Sequence, residues 1–187
     1  DAALFSINAA TGAVTLIGNP DYETKGSYSF TVVATDAAGN ASEQVVTLGI
    51  NNLDEVAPTI TSGTTASAIN ENSGAGQVVY TVTSTDSGDV VTGTTSYSLK
   101  AGADAALFSI NAATGAVTLI GNPDSETKGS YSFTVVATDA AGNASEQVVT
   151  LGINNLDEVA PTITSGATAS AINENSGAGQ VVYTVAS

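Results

Sequence analysis

The chain has 187 residues, with 18 Asp and Glu against three lysines and no arginine, for a net charge of -15. Binding to a phosphate backbone needs clustered Lys and Arg, so nucleic acid is excluded as a partner, and an anionic membrane surface is disfavoured on the same ground. The absence of Cys and His removes disulfides, thiol chemistry and the usual transition-metal ligands, leaving oxygen donors and the hard cations Ca2+ or Mg2+.

In chain order, Ala3, Phe5 and Ile7 alternate with other residues, and Ala9-Ala10-Thr11-Gly12 leads into the apolar residues 13–17, which predicts a hairpin turning at Gly12. Gly18-Asn19-Pro20-Asp21 then breaks the run and leaves Asp21 and Glu23 in a loop. From Ser27 the alternation sets Tyr28, Phe30, Val32 and Ala34 on one face and Ser29, Thr31, Val33 and Thr35 on the other, a half-buried strand. Asp36-Ala37-Ala38-Gly39-Asn40 is a turn by composition. Residues 43–51 form the next strand, with Val46, Leu48 and Ile50 inward. The segment that follows, Asn51-Asn52-Leu53-Asp54-Glu55-Val56-Ala57-Pro58, packs carboxylates and amides into a stretch too short to hide them, and reads as a hinge that needs a cation. Residues 59–62 and 66–70 are short strands, and Glu71-Asn72-Ser73-Gly74-Ala75-Gly76 turns the chain into residues 77–84, with Val78, Tyr80 and Val82 inward. Residues 86–93 form a polar loop, and 95–99 return as a strand.

At Asp104 the sequence begins again. The offset of 103 residues holds from Asp1 to Ser84, with differences only at Tyr22/Ser125, Thr64/Ala167 and Thr83/Ala186. Such a period exceeds the ~20–50 residues of solenoid and propeller units and matches a small autonomous domain. The expected organisation is beads on a string: residues 1–53 the C-terminal part of one repeat, 54–159 a complete repeat, and 160–187 the N-terminal strands of another. About seven short strands per repeat, with no helical period, predict an all-β fold of tandem seven-stranded Greek-key β-sandwiches.

Phe108-Ser109-Ile110-Asn111 with Thr114-Gly115 and Val117, then Asp124-Ser125-Glu126, the run from Tyr131 to Asp139, the linker from Asn154 to Pro161, and Ile172-Asn173-Glu174-Asn175 follow the order and spacing of a cadherin repeat. In detail the chain resembles the cadherin-like extender repeats of very large bacterial surface adhesins of the RTX, biofilm-associated type. The resemblance implies an extracellular, bacterial cell-surface location, sandwiches of the cadherin or immunoglobulin kind, and Ca2+ at each junction between repeats, about one to three ions. Its implied partners are the neighbouring repeats of the same chain, with no direct membrane contact. Carried over position by position, it implies ligands at the first junction from Asp21, Glu23, Asn52, Asp54, Glu55, Asp86, Asp89 and Asp139. At the second it implies Glu71, Asp124, Glu126, Asn155, Asp157 and Glu158. Two departures lower the expected ion count. Val56 brings no side-chain oxygen to the linker, and Gly88 stands where the family carries the second acid of an Asp-x-Asp loop, with Asp89 one place later.

The functional reading that follows is a calcium-rigidified spacer holding a distal adhesive domain away from a cell, in adhesion or biofilm formation. A glycan- or self-binding sandwich is one alternative. Another is a fibre subunit assembling head to tail, in which residues 160–187 supply opening strands that 1–53 lack. An enzyme is not expected, because without His, Cys, Trp or Arg the acids alone make a poor glycosidase. Glu146 and Lys128 read as ordinary surface charges.

Overall fold

Valine- and threonine-rich runs favour strands because β-branched side chains pack well on a half-buried pleated surface. The computed structural model describes residues 1–87 and 93–187, so Asp89 and most of the predicted 86–93 loop lie outside the described residues. Residues 1–53 carry β1 (Phe5–Ile7), β2 (Val14–Leu16), β3 (Ser27–Thr35) and β4 (Ala41–Gly49). The next repeat carries β5 (Thr59–Ile60), β6 (Ile69–Asn70), β7 (Gln77–Thr81), β8 (Ser84–Thr85), β9 (Ser96–Lys100), β10 (Phe108–Ile110), β11 (Ala116–Leu119), β12 (Ser130–Thr138) and β13 (Ala144–Asn154).

Two sheets make the sandwich. One has the order β10-β11-β7, the other β6-β13-β12-β9. The long hairpin β12–β13 is antiparallel from Ser130↔Gly152 to Thr138↔Ala144, and β9 extends it along β12. On the far edge β6 runs parallel to β13, pairing Ile153 with Ile69 and Asn154 with Asn70. A parallel neighbour so distant in sequence requires a crossover between sheets, as the all-β Greek-key reading expects. Between the sheets Val79, Tyr80, Val82, Phe108, Val117 and Leu119 meet Phe133, Val135, Val149, Leu151 and Ile153. The Phe133 ring lies 4.5 Å from that of Phe108, and Tyr80 approaches it edge-on at 6.1 Å. Each side chain of this size, fully buried, contributes about 1.5–3 kcal/mol.

Three local expectations are corrected. The single strand foreseen over residues 77–84 divides, with β7 joining β11 and β8 pairing with β5. Val78 faces outward at 61% exposure while Val79, Tyr80 and Val82 are buried. The register explains it: Val117 pairs with Tyr80 but Thr118 with Val78, so Val79 is an inserted bulge residue that shifts the alternation. Lys128 is no idle surface charge. Its ammonium lies 2.9 Å from Asp104 Oδ1 and 5.5 Å from the Tyr131 ring centre, while the Ser132 amide donates to Asp104 Oδ2 at 2.9 Å. This strap ties the 3-10 turn Ala105–Leu107 to β12, and the Lys128 hydrogen bond, with the Ser132 amide, holds the Asp104 carboxyl below its usual range. That turn and its copy Ala2–Leu4 are too short to show a helical period.

The same residues meet different surroundings in the two copies. β1–β2 and β3–β4 keep the registers of β10–β11 and β12–β13. Yet Phe30 and Val32 are only half-buried where Phe133 and Val135 are fully buried, and Leu48, expected inward, is 37% exposed where Leu151 is fully buried. Counterparts of β7 and β9 are not among residues 1–53. The turn after β10 makes the difference measurable. Asn111 Oδ1 accepts from the amides of Ala113 and Thr114 at 3.0 and 3.1 Å. Gly115 closes the turn at φ +70° with its Cβ position 2.4 Å from the Val82 carbonyl oxygen, whereas Gly12, at φ +72°, has nothing within 4 Å. Gly115→Ala therefore costs about 2–4 kcal/mol of stability, left-handed strain plus overpacking, against roughly 1–2 kcal/mol for Gly12→Ala from strain alone. Denaturant unfolding of the two variants checks this, and equal losses would contradict it.

Candidate metal centres

Among the described residues, two groups of acids gather at the ends of the second repeat. Carboxylate oxygens of Asp54, Asp86 and Asp139 lie within 4.8 Å of one another, and so do those of Glu71, Glu126 and Glu158. Each group joins a linker residue, Asp54 or Glu158, to residues of the sandwich body.

The first group is built on the turn after β12. Asp139 is 94% buried, its exposure being 6%, and its Oδ1 accepts from the amides of Gly142 and Asn143 at 2.7 and 2.8 Å. The Asn143 amide nitrogen donates to Asp139 Oδ2 and also to the Asp54 carbonyl, both at 2.9 Å, so one side chain pins the linker to the turn. Burial raises the Asp139 carboxyl, but the hydrogen bonds from the Asn143 side chain and the turn amides outweigh it and leave the group lowered. Among the described residues no such donor reaches Asp86. Desolvation first, and then the charges of Asp54 and Asp139, hold its carboxyl above the usual range.

The second group follows from the parallel pairing of β6 with β13. That pairing carries Glu71 alongside the start of the next linker, where its amide donates to the Asn154 carbonyl at 3.1 Å. Its carboxylate, 1% exposed, accepts from the amides of Leu156 and Ser125. These bonds, Leu156 foremost, lower the Glu71 carboxyl despite its burial. Glu126 moves the other way, raised first by the hydrogen bond it shares with Glu71 and further by desolvation and the charges of Glu71 and Glu158, against its own backbone N–H. Asn155 donates to Glu126 Oε1 at 2.9 Å, and Asn72 donates to Glu158 Oε1.

The remaining expected ligands are placed as follows. Asp124 accepts from the Thr127 amide and hydroxyl at 3.0 and 2.9 Å, and Asp21 makes the same pair with Thr24 at 3.1 and 2.9 Å. Both carboxyls are lowered by those bonds. Asp157 accepts from the Val159 amide at 3.1 Å. Glu23 and Glu55 are exposed and belong to neither group, and Asn52 is half-buried. Three contributors escaped the sequence reading. Asn143 was legible only as the last residue of an Asp-Ala-Ala-Gly-Asn turn. Asn72 and Asn122 are joined by a 3.2 Å bond that buttresses the Glu158 contact, and nothing in their sequence neighbourhood marked that pairing.

The donors suit a hard cation, since every group is an oxygen and no protein cation balances them. All three lysines are engaged elsewhere: Lys25 with Asp1 at 2.8 Å, Lys100 with Glu146 at 2.7 Å, Lys128 with Asp104 at 2.9 Å.

The family model for the Cadherin domain matches residues 1–51 and 65–154. Among curated proteins, Protocadherin Fat 4 of Mus musculus is 30% identical over 185 residues, which covers 97% of this chain and 4% of that protein. Cadherin-23 of Mus musculus is 34% identical over 158 residues, covering 82% and 5%. The chain thus spans a small part of these relatives. Among solved structures, human Protocadherin-24 EC1-2 superposes with a TM-score of 0.61 at 23% identity, covering 84% of this chain and 79% of that one. The Protocadherin GammaB4 extracellular domain gives 0.55 at 22%, covering 88% and 28%. At these identities the likeness bears on the fold.

In the metal-free protein the raised Asp86 carboxyl means the folded state holds that proton more tightly than the unfolded state. Its contribution to stability is present at low pH and lost as pH rises through the folded-state titration. Asp86→Asn is therefore expected to raise the metal-free melting temperature at neutral pH by a few degrees, with the gap closing on acidification. Thermal scans of both proteins in chelator across pH check this, and a lowered melting temperature at neutral pH would contradict it.

Proposed function

The chain belongs to the cadherin domain family, and from that premise we propose that it is a calcium-rigidified spacer within a large cell-surface adhesin. Domains of this family are extracellular and bind Ca2+ at the junctions between repeats. Among the described residues no helix is long and apolar enough to cross a membrane.

The observation that carries the reading is the make-up of the two acid groups. Asp54 comes from the linker before the second repeat, Asp86 and Asp139 from its body; Glu158 comes from the linker after it, Glu71 and Glu126 from its body. Ca2+ supplies the positive charge that six to eight oxygens can share. Asp54, Asp86 and Asp139 would hold it at one end, Glu71, Glu126 and Glu158 at the other, with Asp124, Asn155 and Asp157 beside the second group and Asp21, Glu23, Asn52 and Glu55 on the preceding side of the first. Shared ligands convert a hinge into a fixed joint, because the linker cannot rotate without leaving its oxygens. Residues 1–53, 54–159 and 160–187 are in this reading parts of three consecutive repeats.

Near-identity of the two copies, with three differing pairs over the overlap, fits a spacer in which length matters more than any one surface. This supports the extender type found in bacterial adhesins, although the relatives named above are animal proteins. A glycan platform has less support. Tyr22, the one aromatic difference between copies, folds back onto its own turn, with its ring 3.0 Å from the Cβ position of Gly26.

Thermal unfolding of a chain with at least two whole repeats, scanned across calcium with magnesium as control, tests the proposal. Linkage predicts a stabilisation of about 2.7 kcal/mol at 100-fold excess over the dissociation constant, together with a longer particle in small-angle scattering. Identical melting and identical dimensions in chelator and calcium would end it.

A further inference from the structure

The oxygens of Asp54, Asp86 and Asp139 reach one place from separate segments: the incoming linker, the residue after β8 and the turn between β12 and β13. Like charges gathered within 4.8 Å repel, so contacts other than those of the carboxylates have to bring the linker to the turn. Asn143, half-buried at the end of that turn, supplies one.

The turn first fixes its own asparagine. The Asp139 amide donates to the Asn143 carbonyl at 3.1 Å, the Asn143 amide donates back to Asp139 Oδ1 at 2.8 Å, and Asn143 Nδ2 donates to Asp139 Oδ2 at 2.9 Å. The same bonds recur between Asp36 and Asn40, each at 2.9 Å. An asparagine amide nitrogen carries two hydrogens, where a hydroxyl has one and a carboxylate none. Asn143 spends the second on the Asp54 carbonyl at 2.9 Å. Turning its amide over would set oxygen against oxygen at both partners, so it meets them as a donor. The bonded carbonyl fixes the plane of the peptide after Asp54, and with it the path on which the linker passes the turn.

Resting on the calcium reading of this group, we propose that Asn143 is a positioning residue for its cation: it delivers Asp54 to Asp139 through its amide nitrogen and is not itself a ligand. Residues that orient a ligand without touching the metal set affinity by about 10–100-fold. The bond joins the linker to the repeat that follows it, and it leaves bending against the preceding repeat untouched.

Calcium titration of the isotope-labelled 187-residue chain, followed by NMR, reads the two groups separately. The Gly142 amide, bonded to Asp139, reports the first, and the Ser125 and Leu156 amides, bonded to Glu71, report the second. Asn143→Ala keeps the backbone bond to Asp139 Oδ1; it is expected to weaken calcium at the first group about tenfold or more and to leave the second unchanged. Asn143→Asp separates donor from ligand. It keeps an oxygen and adds charge, which preserves binding by a ligand, whereas for a donor it turns both attractions into repulsions and weakens binding. Heteronuclear relaxation in chelator reads the attachment without the metal: Asp54 and Glu55 move with β13 in the unsubstituted chain and faster in Asn143→Ala. Unchanged affinity at the first group in Asn143→Ala, equal weakening at both groups, or undiminished affinity in Asn143→Asp overturns the proposal. Unchanged linker motion in Asn143→Ala, in a chain that binds calcium before substitution, overturns the proposal alone. If the unsubstituted chain takes no calcium, the calcium reading fails and the proposal with it.

Discussion

The structure turns on negative charge that the protein does not itself neutralise. All three lysines are tied to Asp1, Asp104 and Glu146, away from both acid groups. Each group is arranged alike. One carboxylate, Asp139 or Glu71, is buried and fixed by backbone amides, which lower its titration range. Another, Asp86 or Glu126, faces that charge and is raised. A fold could relieve such repulsion by protonation or by spreading the acids apart. Here amides hold one acid in place while the linker brings in another, which is the arrangement the proposed cation would complete.

The sheets position these acids. Parallel pairing of β6 with β13 carries Glu71 to the start of the outgoing linker, and the turn between β12 and β13 presents Asp139 to the incoming one. The sandwich core of Phe133, Val135, Val149 and Leu151 is thus also the frame that sets the distance between the two ends of a repeat. Residues 1–53, which differ from 104–156 only at Tyr22, form the same hairpins in the same register, so local pairing is written into each hairpin, whereas burial in the second repeat depends on the strands that face it.

Much of this was legible in the sequence, for reasons that also mark where legibility stopped. Alternation over Ser27–Thr35 reported a strand, and in its copy Ser130–Thr138 one face of that strand meets the core. Alternation failed at Val78, since a bulge inserts a residue and leaves no local trace. The acids of the motifs were visible as acids, but which of them meet depends on crossover geometry. Asp86 and Asp139 join Asp54, whereas Glu55, one residue from Asp54, joins neither group. Asn143 was hidden because its role comes from a bond to the Asp54 carbonyl, 89 residues away in sequence. Lys128 was misjudged for a related reason. Its partner Asp104 lies at the far end of another loop.

The central claim is that the linker becomes a fixed joint when its acids share a cation, and the most direct measurement is the distance distribution across that linker. The chain has no cysteine, so Ala10→Cys and Ala113→Cys, exposed turn positions equivalent in consecutive repeats, can carry spin labels for pulsed dipolar spectroscopy. The account predicts a broad distribution in chelator that narrows to a single peak in calcium and stays broad in magnesium. A distribution equally narrow, or equally broad, in all three conditions would contradict it.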